Sequence, residues 1–489
     1  MSTSTLKRTF WLFLLFNAVI WSIVPLLRLS LPMDTQEAIV WGKYSLLGTT
    51  KHPPFSGWLA YPFWQLFAHW DGALYLLSQL CVVLGVAYIW RLARCFLSTH
   101  TALLAALLQF GIIYYDFSSV EFNVNVISLA LWPMCAFYFW RAYTQNKWTD
   151  WLLFGLFAGI NLLNKYISGI LLMSLALFVL ADKGALKLLK NIKVYVAAII
   201  CLLVIAPHIW WLYQNNFEMW HYMAQRSSGG KITAWYCHLA YPLKFLAAQI
   251  LFCLPALLTY FIFRRRDKMP KPTTDKQNSL FIFITAVAPI TIFALIGLIS
   301  GNALKSMWGF PCLYMVGIAL FYFWPTDWSE TKQKAFIKTM LCWTVLFAVA
   351  YTAQCLLTKS ERFRLNAPQL AEQLEQKWAT HIGNKPLEYV GADVWYANIL
   401  ALYGSHEIKP MIWLSPKNNP WFDAADFTQK GALVIANDAG EYAYYQRQLG
   451  TALSNPETLT VELKNYLGKT KQKQIYYGFY LKEENSREK

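Results

Sequence analysis

Two acidic side chains come directly after the first apolar segment and are of a kind that can act on a hydroxyl group. Asp34 and Glu37 lie in the run that begins at Pro32 and ends at Tyr44. A carboxylate near the start of a helix stays ionised because it faces the positive end of the helix dipole. An ionised carboxylate can accept a proton from a hydroxyl or orient one. The Asp-x-x-Glu spacing also fits a variant of the capping box, so the pattern predicts a general base, a cap of a surface helix, or both.

Two basic side chains stand before a pair of prolines further along the same loop. They are Lys51 and His52, followed by Pro53 and Pro54. Paired prolines favour an extended, stiff backbone, so one interpretation is a rigid loop without chemistry. The functional interpretation is that the prolines hold a lysine and a histidine close to the membrane surface, where both can contact phosphate.

Other polar residues recur at the ends of later apolar segments. Lys165 and Tyr166 follow one segment, and His208 lies near the end of another. Snorkelling or helix capping would explain any one of them. The ionisable residues nevertheless map to one side of the predicted membrane topology, as expected of a site for an amphiphilic phosphate substrate. They are Asp34, Lys51, His52, Asp116, Glu121, Lys165, His208 and Lys305.

The elements that must position these residues are membrane helices. The chain has 489 residues, of which 56% are hydrophobic and only 14% charged, whereas soluble domains carry about a quarter charged residues. The net charge of +16 is concentrated in basic runs between apolar segments, where the positive-inside rule places Lys and Arg. Lipid therefore explains the charge better than nucleic acid, and no nucleic-acid partner is expected.

Eleven apolar segments are long enough to be predicted as membrane spans, although three of them are short. The connections that carry Arg and Lys alternate with connections that are nearly free of them, which places the N-terminus in the cytoplasm and the C-terminal tail outside it. The basic connections include Lys183 to Lys193 and Arg264 to Lys276, and the external loops are Leu31 to Trp70 and Gln214 to Tyr241. The predicted spans are 10–30, 72–91, 101–116, 123–141, 151–164, 166–181, 194–213, 242–263, 279–299, 306–324 and 338–357.

The tail after residue 357 alternates helix-like and strand-like stretches. Such alternation predicts a small α/β domain. The predicted fold is therefore a mainly α polytopic membrane domain, 1–357, whose first external loop 31–70 carries the site, and an external α/β domain, 358–489. The predicted helices of the tail are 367–380, 394–403 and 442–449, and its predicted strands are 387–390, 410–414, 432–436 and 474–481.

Several of these motifs together resemble a known family. The acidic motif after the first span, His52-Pro53-Pro54, Lys165-Tyr166 and Pro207-His208 before Trp211-Leu212 resemble the GT-C glycosyltransferases. The resemblance is strongest to the bacterial relatives of the protein O-mannosyltransferases and of the aminoarabinose transferases that modify lipid A. It implies the inverting transfer of a sugar from a polyprenyl-phosphate donor to an acceptor, on the external face of a bacterial inner membrane.

The resemblance also implies roles for single residues. Asp34 corresponds to the family's acidic residue after the first span, and Glu37 is the next acid along the chain. The donor phosphate would be contacted by Lys51, His52 and Lys165. The remaining candidates for substrate contact are Tyr166, Glu121, Asn123 and His208.

The sequence departs from the family pattern at two of its acidic positions. Thr35 follows Asp34 where the family often has adjacent Asp and Glu, and Asn123 and Asn125 stand where a second acid is usual. No Asp-x-Asp motif occurs, so no cofactor is expected, although a divalent metal stays open.

Two rival classes of function remain open at this stage. A flippase for lipid-linked sugars would need polar groups reachable from both sides and often has repeated halves, and a non-catalytic envelope assembly protein would need neither. The expected partners are a polyprenyl-phosphate-linked sugar, a lipid or glycan acceptor and the lipid bilayer, and the protein is expected to act as a monomer.

Overall fold

The computed structural model describes residues 1–219, 221–222, 234–264, 275–383 and 385–481. Most of the described chain is α-helical, and a five-stranded sheet lies near its C-terminal end. The predicted fold class, a helical membrane protein with a small C-terminal α/β domain, is therefore confirmed. Residues 265–274 of the predicted basic connection lie outside the described residues, as do 220 and 223–233 of the predicted external loop 214–241.

Within the described residues, no strand precedes residue 389, and the α-helices follow one another along the chain. They are α1 (Thr3–Ile23), α2 (Met33–Lys43), α3 (Phe55–Leu66), α4 (Gly72–Ala93), α5 (Thr99–Leu107), α6 (Val124–Gln145), α7 (Trp148–Asn164), α8 (Gly169–Ala181), α9 (Ile192–Gln214), α10 (Cys237–Arg264), α11 (Lys276–Ser300), α12 (Val316–Phe323), α13 (Glu330–Leu357), α14 (Glu361–Arg364), α15 (Ala367–Ile382), α16 (Val394–Tyr403), α17 (Ala424–Lys430) and α18 (Ala439–Leu449). The strands are β1 (Tyr389–Ala392), β2 (Lys409–Ile412), β3 (Ala432–Ala436), β4 (Glu457–Lys464) and β5 (Thr470–Tyr480).

The chain forms two compact units. The membrane unit comprises Met1–Val24, Leu47–Ser56 and Gly72–Tyr351, and the sheet unit comprises Pro25–Leu46, Gly57–Asp71 and Thr352–Lys489. The predicted first external loop is thus divided between the units, because residues 47–56 belong to the membrane unit and the residues on either side to the sheet unit. The boundary at residue 357 stays a prediction.

Seven helices of the described residues are long and apolar enough to cross a membrane, or eight if a bent pair of helices forms one span. The bent pair is Thr99–Gly111 and Ile113–Ser119, with an angle of 86° between its halves. The protein is therefore a multi-pass membrane protein. The predicted segments 151–164 and 166–181 are also helical but shorter than a typical span, and the count of eleven stays a prediction.

Small side chains and polar caps fix the helices of the membrane unit. An added Cβ at Gly155 of α7 would lie 2.3 Å from the carbonyl oxygen of Ala197 in α9. The backbones of α7 and α9 therefore approach so closely that only glycine fits, as is common between membrane helices. At the start of α6, the Asn123 side chain accepts hydrogen bonds from the amides of Asn125 and Val126, so it holds the first turn.

The sheet unit is built around a mixed sheet with the strand order β2-β1-β3-β5-β4. Strands β2, β1 and β3 are parallel, and β3, β5 and β4 pair antiparallel. Each predicted helix and strand of the tail overlaps an observed one, whereas α14, α17 and β4 were not predicted.

The core of the sheet unit lies between the sheet and helices α15 and α16. It includes Trp378, Trp395 and Ile399, and the partly buried Met33 of α2 packs against it. Helix α2 also packs against α16. At the far end of α16, the Tyr403 hydroxyl donates a hydrogen bond of 2.6 Å to the Asp71 carboxylate. Burial raises the pKa of Asp71 to about 6, although the bond from Tyr403 opposes the rise.

Candidate active site

Lys165 stands at a break between two helices of the membrane unit. Helix α7 ends at Asn164, Lys165 is extended with φ −163° and ψ 130°, and a 3₁₀ turn then runs from Tyr166 to Ser168. The Asn164 amide donates to the Val124 carbonyl at 2.8 Å and to the Ser128 hydroxyl at 3.0 Å. The end of α7 is therefore bonded to the start of α6, which fixes the position of Lys165.

The Lys165 ammonium points into the protein rather than snorkelling to its surface. The residue is only 8% exposed, and its Nζ donates a hydrogen bond of 2.6 Å to Oδ1 of Asn125 in α6. Burying a charged group is unfavourable unless polar groups compensate it. A buried ammonium is a group that an anionic ligand can contact through charge-assisted hydrogen bonds.

Tyr166 and His208 bond directly to each other. The Tyr166 hydroxyl and Nε2 of His208 form a short hydrogen bond, and Nδ1 of His208 lies 2.7 Å from the carbonyl oxygen of Leu47. A carbonyl only accepts, so Nδ1 must be the donor. In neutral histidine the other nitrogen then accepts, and the Tyr166 hydroxyl donates to it. His208 is 2% exposed, so both of its ring nitrogens are engaged inside the protein.

The segment Leu47–Ser56, which carries Lys51 and His52, is ordered by its own Thr49. The Thr49 hydroxyl accepts from the amides of Lys51 at 3.1 Å and of His52 at 2.9 Å, and it donates to the His52 carbonyl at 2.9 Å. The Thr49 amide donates to the same carbonyl. These bonds close a tight turn, and the prolines at 53 and 54 follow it, as the rigid-loop interpretation predicts. The side chains of Lys51 and His52 are both partly exposed.

Three other candidates precede α6 along the chain. Glu121 is partly exposed, and Asn123 caps the helix as described, so its oxygen is occupied by two backbone amides. Asp116, predicted beside Glu121 on the external face, is fully buried. Its Oδ1 accepts from the Trp21 indole at 2.9 Å and from the Thr344 hydroxyl at 3.3 Å. Asp116 thus joins α1 and α13 inside the membrane unit.

The two predicted acids belong to the sheet unit, and the structure corrects one interpretation of them. The N-cap of α2 is Pro32, not Asp34, and Asp34 lies in the first helical turn. The helix is also not a surface helix, because every residue from Thr35 to Gly42 is buried. Glu37 is 5% exposed, whereas Asp34 is partly exposed. The prediction that Asp34 caps a surface helix is therefore wrong, but its carboxylate still lies at the positive end of a helix dipole.

The structure thus brings several predicted residues of the membrane unit together in bonded pairs. Tyr166 contacts His208, His208 holds the segment of Lys51 and His52 through Leu47, and Lys165 contacts the helix that Asn123 caps. Thr49 and the Leu47 carbonyl were not predicted. A threonine three residues before His52 is a weak turn signal, but a backbone carbonyl leaves no mark in the sequence. In the described part of the chain, no three His, Cys, Asp or Glu side chains form a metal-binding group.

Comparison with known proteins gives the fold a name. The structure matches that of ArnT from Cupriavidus metallidurans bound to undecaprenyl phosphate, with a TM-score of 0.64, 12% identity, and coverage of 96% of this chain and 97% of ArnT. The chain has a GT-C fold. The apo form of the same ArnT matches this GT-C fold with a TM-score of 0.62, 12% identity, and coverage of 95% and 97%.

Two further comparisons extend this result. The mycobacterial arabinofuranosyltransferase AftD matches with a TM-score of 0.50 and 11% identity, over 95% of this chain and 40% of AftD. Residues 51–211 match the sequence model of the dolichyl-phosphate-mannose-protein mannosyltransferase family. No curated protein sequence matches the chain. The resemblance to GT-C glycosyltransferases predicted from the motifs is confirmed, and residues 51–211 include Lys51, His52, Lys165, Tyr166 and His208.

Proposed function

We propose that the protein is an inverting glycosyltransferase that moves a sugar from a polyprenyl-phosphate donor to lipid A, the lipopolysaccharide core or another envelope glycan. The reaction would take place on the periplasmic face of the bacterial inner membrane, where the C-terminal domain would also lie. The alternation of connections that carry Lys and Arg with connections nearly free of positive charge supports this orientation.

The observation that carries the proposal is the buried ammonium of Lys165. It stands at a helix break fixed by Asn164 and donates to a neutral amide oxygen, within the stretch that matches the mannosyltransferase family. Ionisable groups among membrane helices are costly and commonly functional. A phosphate group from a lipid carrier is an anion that this ammonium could bind through a charge-assisted hydrogen bond, and Lys51 and His52 would add further contacts.

The proposed reaction is a single displacement at the anomeric carbon of the sugar. An acceptor hydroxyl oxygen forms the new bond as the bond from carbon to the phosphate oxygen breaks, and polyprenyl phosphate leaves with the electron pair. The hydroxyl proton passes to a carboxylate, for which we propose Asp34, with Glu37 as the alternative acid. Lys51, His52 and Lys165 would stabilise the negative charge that develops on the phosphate, a contribution that is often the largest in catalysis.

The remaining candidates would contribute to substrate binding. Tyr166 follows Lys165 at the helix break, and its hydroxyl is bonded to His208. Glu121 and Asn123 lie just before α6. The fold adds support, because ArnT from Cupriavidus metallidurans was solved with undecaprenyl phosphate bound. No divalent metal is required by the proposed roles.

The test is sugar transfer by the purified full-length protein in detergent. One pentosyl and one hexosyl polyprenyl-phosphate donor, each labelled in the sugar, would be offered together with lipid A and, separately, with lipopolysaccharide that carries the core. We expect label to appear in lipid A or its core with at least one donor. Movement of donor across vesicles without any transfer would favour a flippase, and neither transfer nor movement would favour an assembly protein.

The acceptor can be identified in cells. Mass spectrometry of lipid A and core oligosaccharide from cells with and without the gene should show one added sugar mass that depends on the gene. Identical spectra for all envelope glycans would contradict the proposal.

A further inference from the structure

The segment Leu47–Ser56 is attached to α9 near Leu47 and Gly48, and its position matters for the proposed phosphate contacts. It contains both Lys51 and His52, and its turn is closed by Thr49 only two residues after Leu47. Anything that holds Leu47 therefore also limits where the turn can lie.

His208 makes the polar part of this attachment. Its Nδ1 donates to the Leu47 carbonyl at 2.7 Å, while its Nε2 accepts from the Tyr166 hydroxyl beside Lys165. The ring is 2% exposed and stacks on Trp211, with centroids 5.9 Å apart and planes 13° from parallel. The imidazole is thus held on three sides, and its donor is directed at the backbone of the segment.

Gly48 makes the apolar part of the attachment between the segment and α9. A Cβ added at this residue would lie 2.4 Å from Cε3 of Trp211, so the backbone of the segment lies directly on the indole that stacks on His208. The hydrogen bond and the close backbone contact come from one turn of α9, because His208 and Trp211 are three residues apart on the same face.

We propose that His208 is a positioning residue, which sets the location of Lys51 and His52 by donating from Nδ1 to the Leu47 carbonyl. Tyr166 fixes the tautomer that makes this donation possible, because its hydroxyl occupies Nε2. In this role His208 acts on the donor phosphate through the segment 47–56 and not by direct contact. The inference rests on the proposed function for its consequence in catalysis, but the attachment itself can be measured without any reaction.

Two conservative substitutions distinguish the contributions of the two ring nitrogens of His208. His208→Asn leaves an amide nitrogen near the position of Nδ1, which can still donate to Leu47 but cannot reach Tyr166. His208→Gln places its amide near the position of Nε2, which keeps the contact with Tyr166 and loses Leu47. If His208 only stabilised the fold, both substitutions would destabilise the protein to a similar extent.

The first measurement is hydrogen exchange of the full-length protein in detergent, followed at the amides of residues 47–56. A hydrogen bond contributes about 0.5–1.5 kcal/mol, so His208→Gln should exchange roughly three- to tenfold faster there than wild type. His208→Asn should stay close to wild type, and exchange within α6 should be unchanged in both. Equal rates in both variants, whether fast or slow, would overturn the proposal.

A second variant allows the same measurement if His208→Gln does not fold. In that case, Gly48→Ala should accelerate exchange of the same segment, since its Cβ cannot fit against Trp211. Normal exchange in a folded Gly48→Ala protein would overturn the proposal equally.

The second measurement uses the transfer assay. If wild type transfers sugar, His208→Gln should raise the KM for the lipid-linked donor several-fold with kcat nearly unchanged, and the rise should be clearly larger than in His208→Asn. If wild type transfers nothing, the proposed function fails, while the exchange rates still decide whether His208 holds the segment.

Discussion

The two units use lysine in opposite ways. In the membrane unit, Lys165 is 8% exposed and donates to the amide oxygen of Asn125. In the sheet unit, the Lys430 side chain is 32% exposed and lies between the carboxylates of Glu388 and Asp426. The same residue type is thus buried inside the protein in one unit and paired with acids nearer the surface in the other.

The two environments indicate where substitutions should affect function and where they should affect stability. Tyr389 and Lys430 donate to Asp426 and hold the pKa of its carboxyl at about 2. The hydrogen bonds of Lys430 to Glu388 and Asp426 raise the pKa of Lys430. Such an exposed network is screened by water and salt, so it contributes little. Lys165 instead is buried beside a helix break, and we therefore expect substitutions there to affect function and those around Lys430 to affect stability slightly.

The largest expected effect lies with the acids on α2. Asp34→Asn should lower the rate of sugar transfer by about 10²–10⁴-fold, the usual contribution of a general base. The protein should still fold and bind donor, because losing a charge from the first turn of a helix costs only about 0.3–1 kcal/mol. Transfer by purified protein, with expression and melting temperature measured alongside, gives the answer.

Glu37→Gln is the matched control for this prediction. If Asp34→Asn retains near-normal transfer and Glu37→Gln loses it, Glu37 is the working acid. Normal transfer by both variants would remove the acids of α2 from the mechanism and direct attention to Glu121.

The second prediction compares the two lysines directly. Lys165→Met should reduce transfer at limiting donor by about ten- to a hundredfold, because a hydrogen bond to a charged group contributes about 1.5–3 kcal/mol. Lys51→Met should act in the same direction. Lys430→Met, in the sheet unit, should leave turnover unchanged, and an equal loss in all three would show that the comparison of the units is mistaken.

The third prediction concerns pH and the buried carboxyl of Asp71. Its pKa is raised to about 6 in the folded protein, against about 3.9 when unfolded. The folded state therefore binds the proton more tightly, and Asp71 makes the protein less stable as pH rises from about 4 to 6. Asp71→Asn should remove this loss, on the order of 2 kcal/mol. Melting temperatures of both proteins between pH 4 and 7 should diverge as pH rises, and parallel curves would contradict the assignment.

The smallest effect is expected at Asp426. Its pKa is lowered to about 2, so its contribution to stability is present above about pH 4 and disappears as pH falls towards 2. Asp426→Asn should melt slightly below wild type at neutral pH, and the difference should vanish in acid. A difference larger than that of Asp71→Asn would show that the exposed network stabilises more than its solvent contact allows.

The sequence predicted the candidate side chains of the site better than the groups that they bond to. Lys165 and Tyr166 stand out because polar residues interrupt an apolar run, and the structure bonds them to Asn125 and His208. The Leu47 carbonyl could not be predicted, because a backbone acceptor looks the same at every residue. The burial of Asp116 also escaped prediction, since its partners Trp21 and Thr344 are far away along the chain.

The helices and strands were likewise predicted only in part. The helices and most strands of the tail follow their apolar patterns, but the capping box failed at α2 because Pro32, with φ −56° and ψ 150°, takes the N-cap position two residues before Asp34. Strand β4 was missed although Leu459, Val461 and Leu463 alternate with polar residues and pack on the core, which is the period-two pattern of a half-buried strand. Its pairing with β5 depends on a neighbour that lies later in the chain.

The position of β4 at the edge of the sheet has a consequence for the behaviour of the protein at high concentration. The two edge strands are β2 and β4. Pro410 in β2 has no amide hydrogen to offer another strand, and β4 carries Glu457, Glu462 and Lys464. Prolines and charged residues on edge strands discourage pairing between sheets of different molecules. Replacing Pro410 or the charges of β4 would therefore make the sheet unit prone to edge-to-edge aggregation, even where the fold of each molecule stays intact.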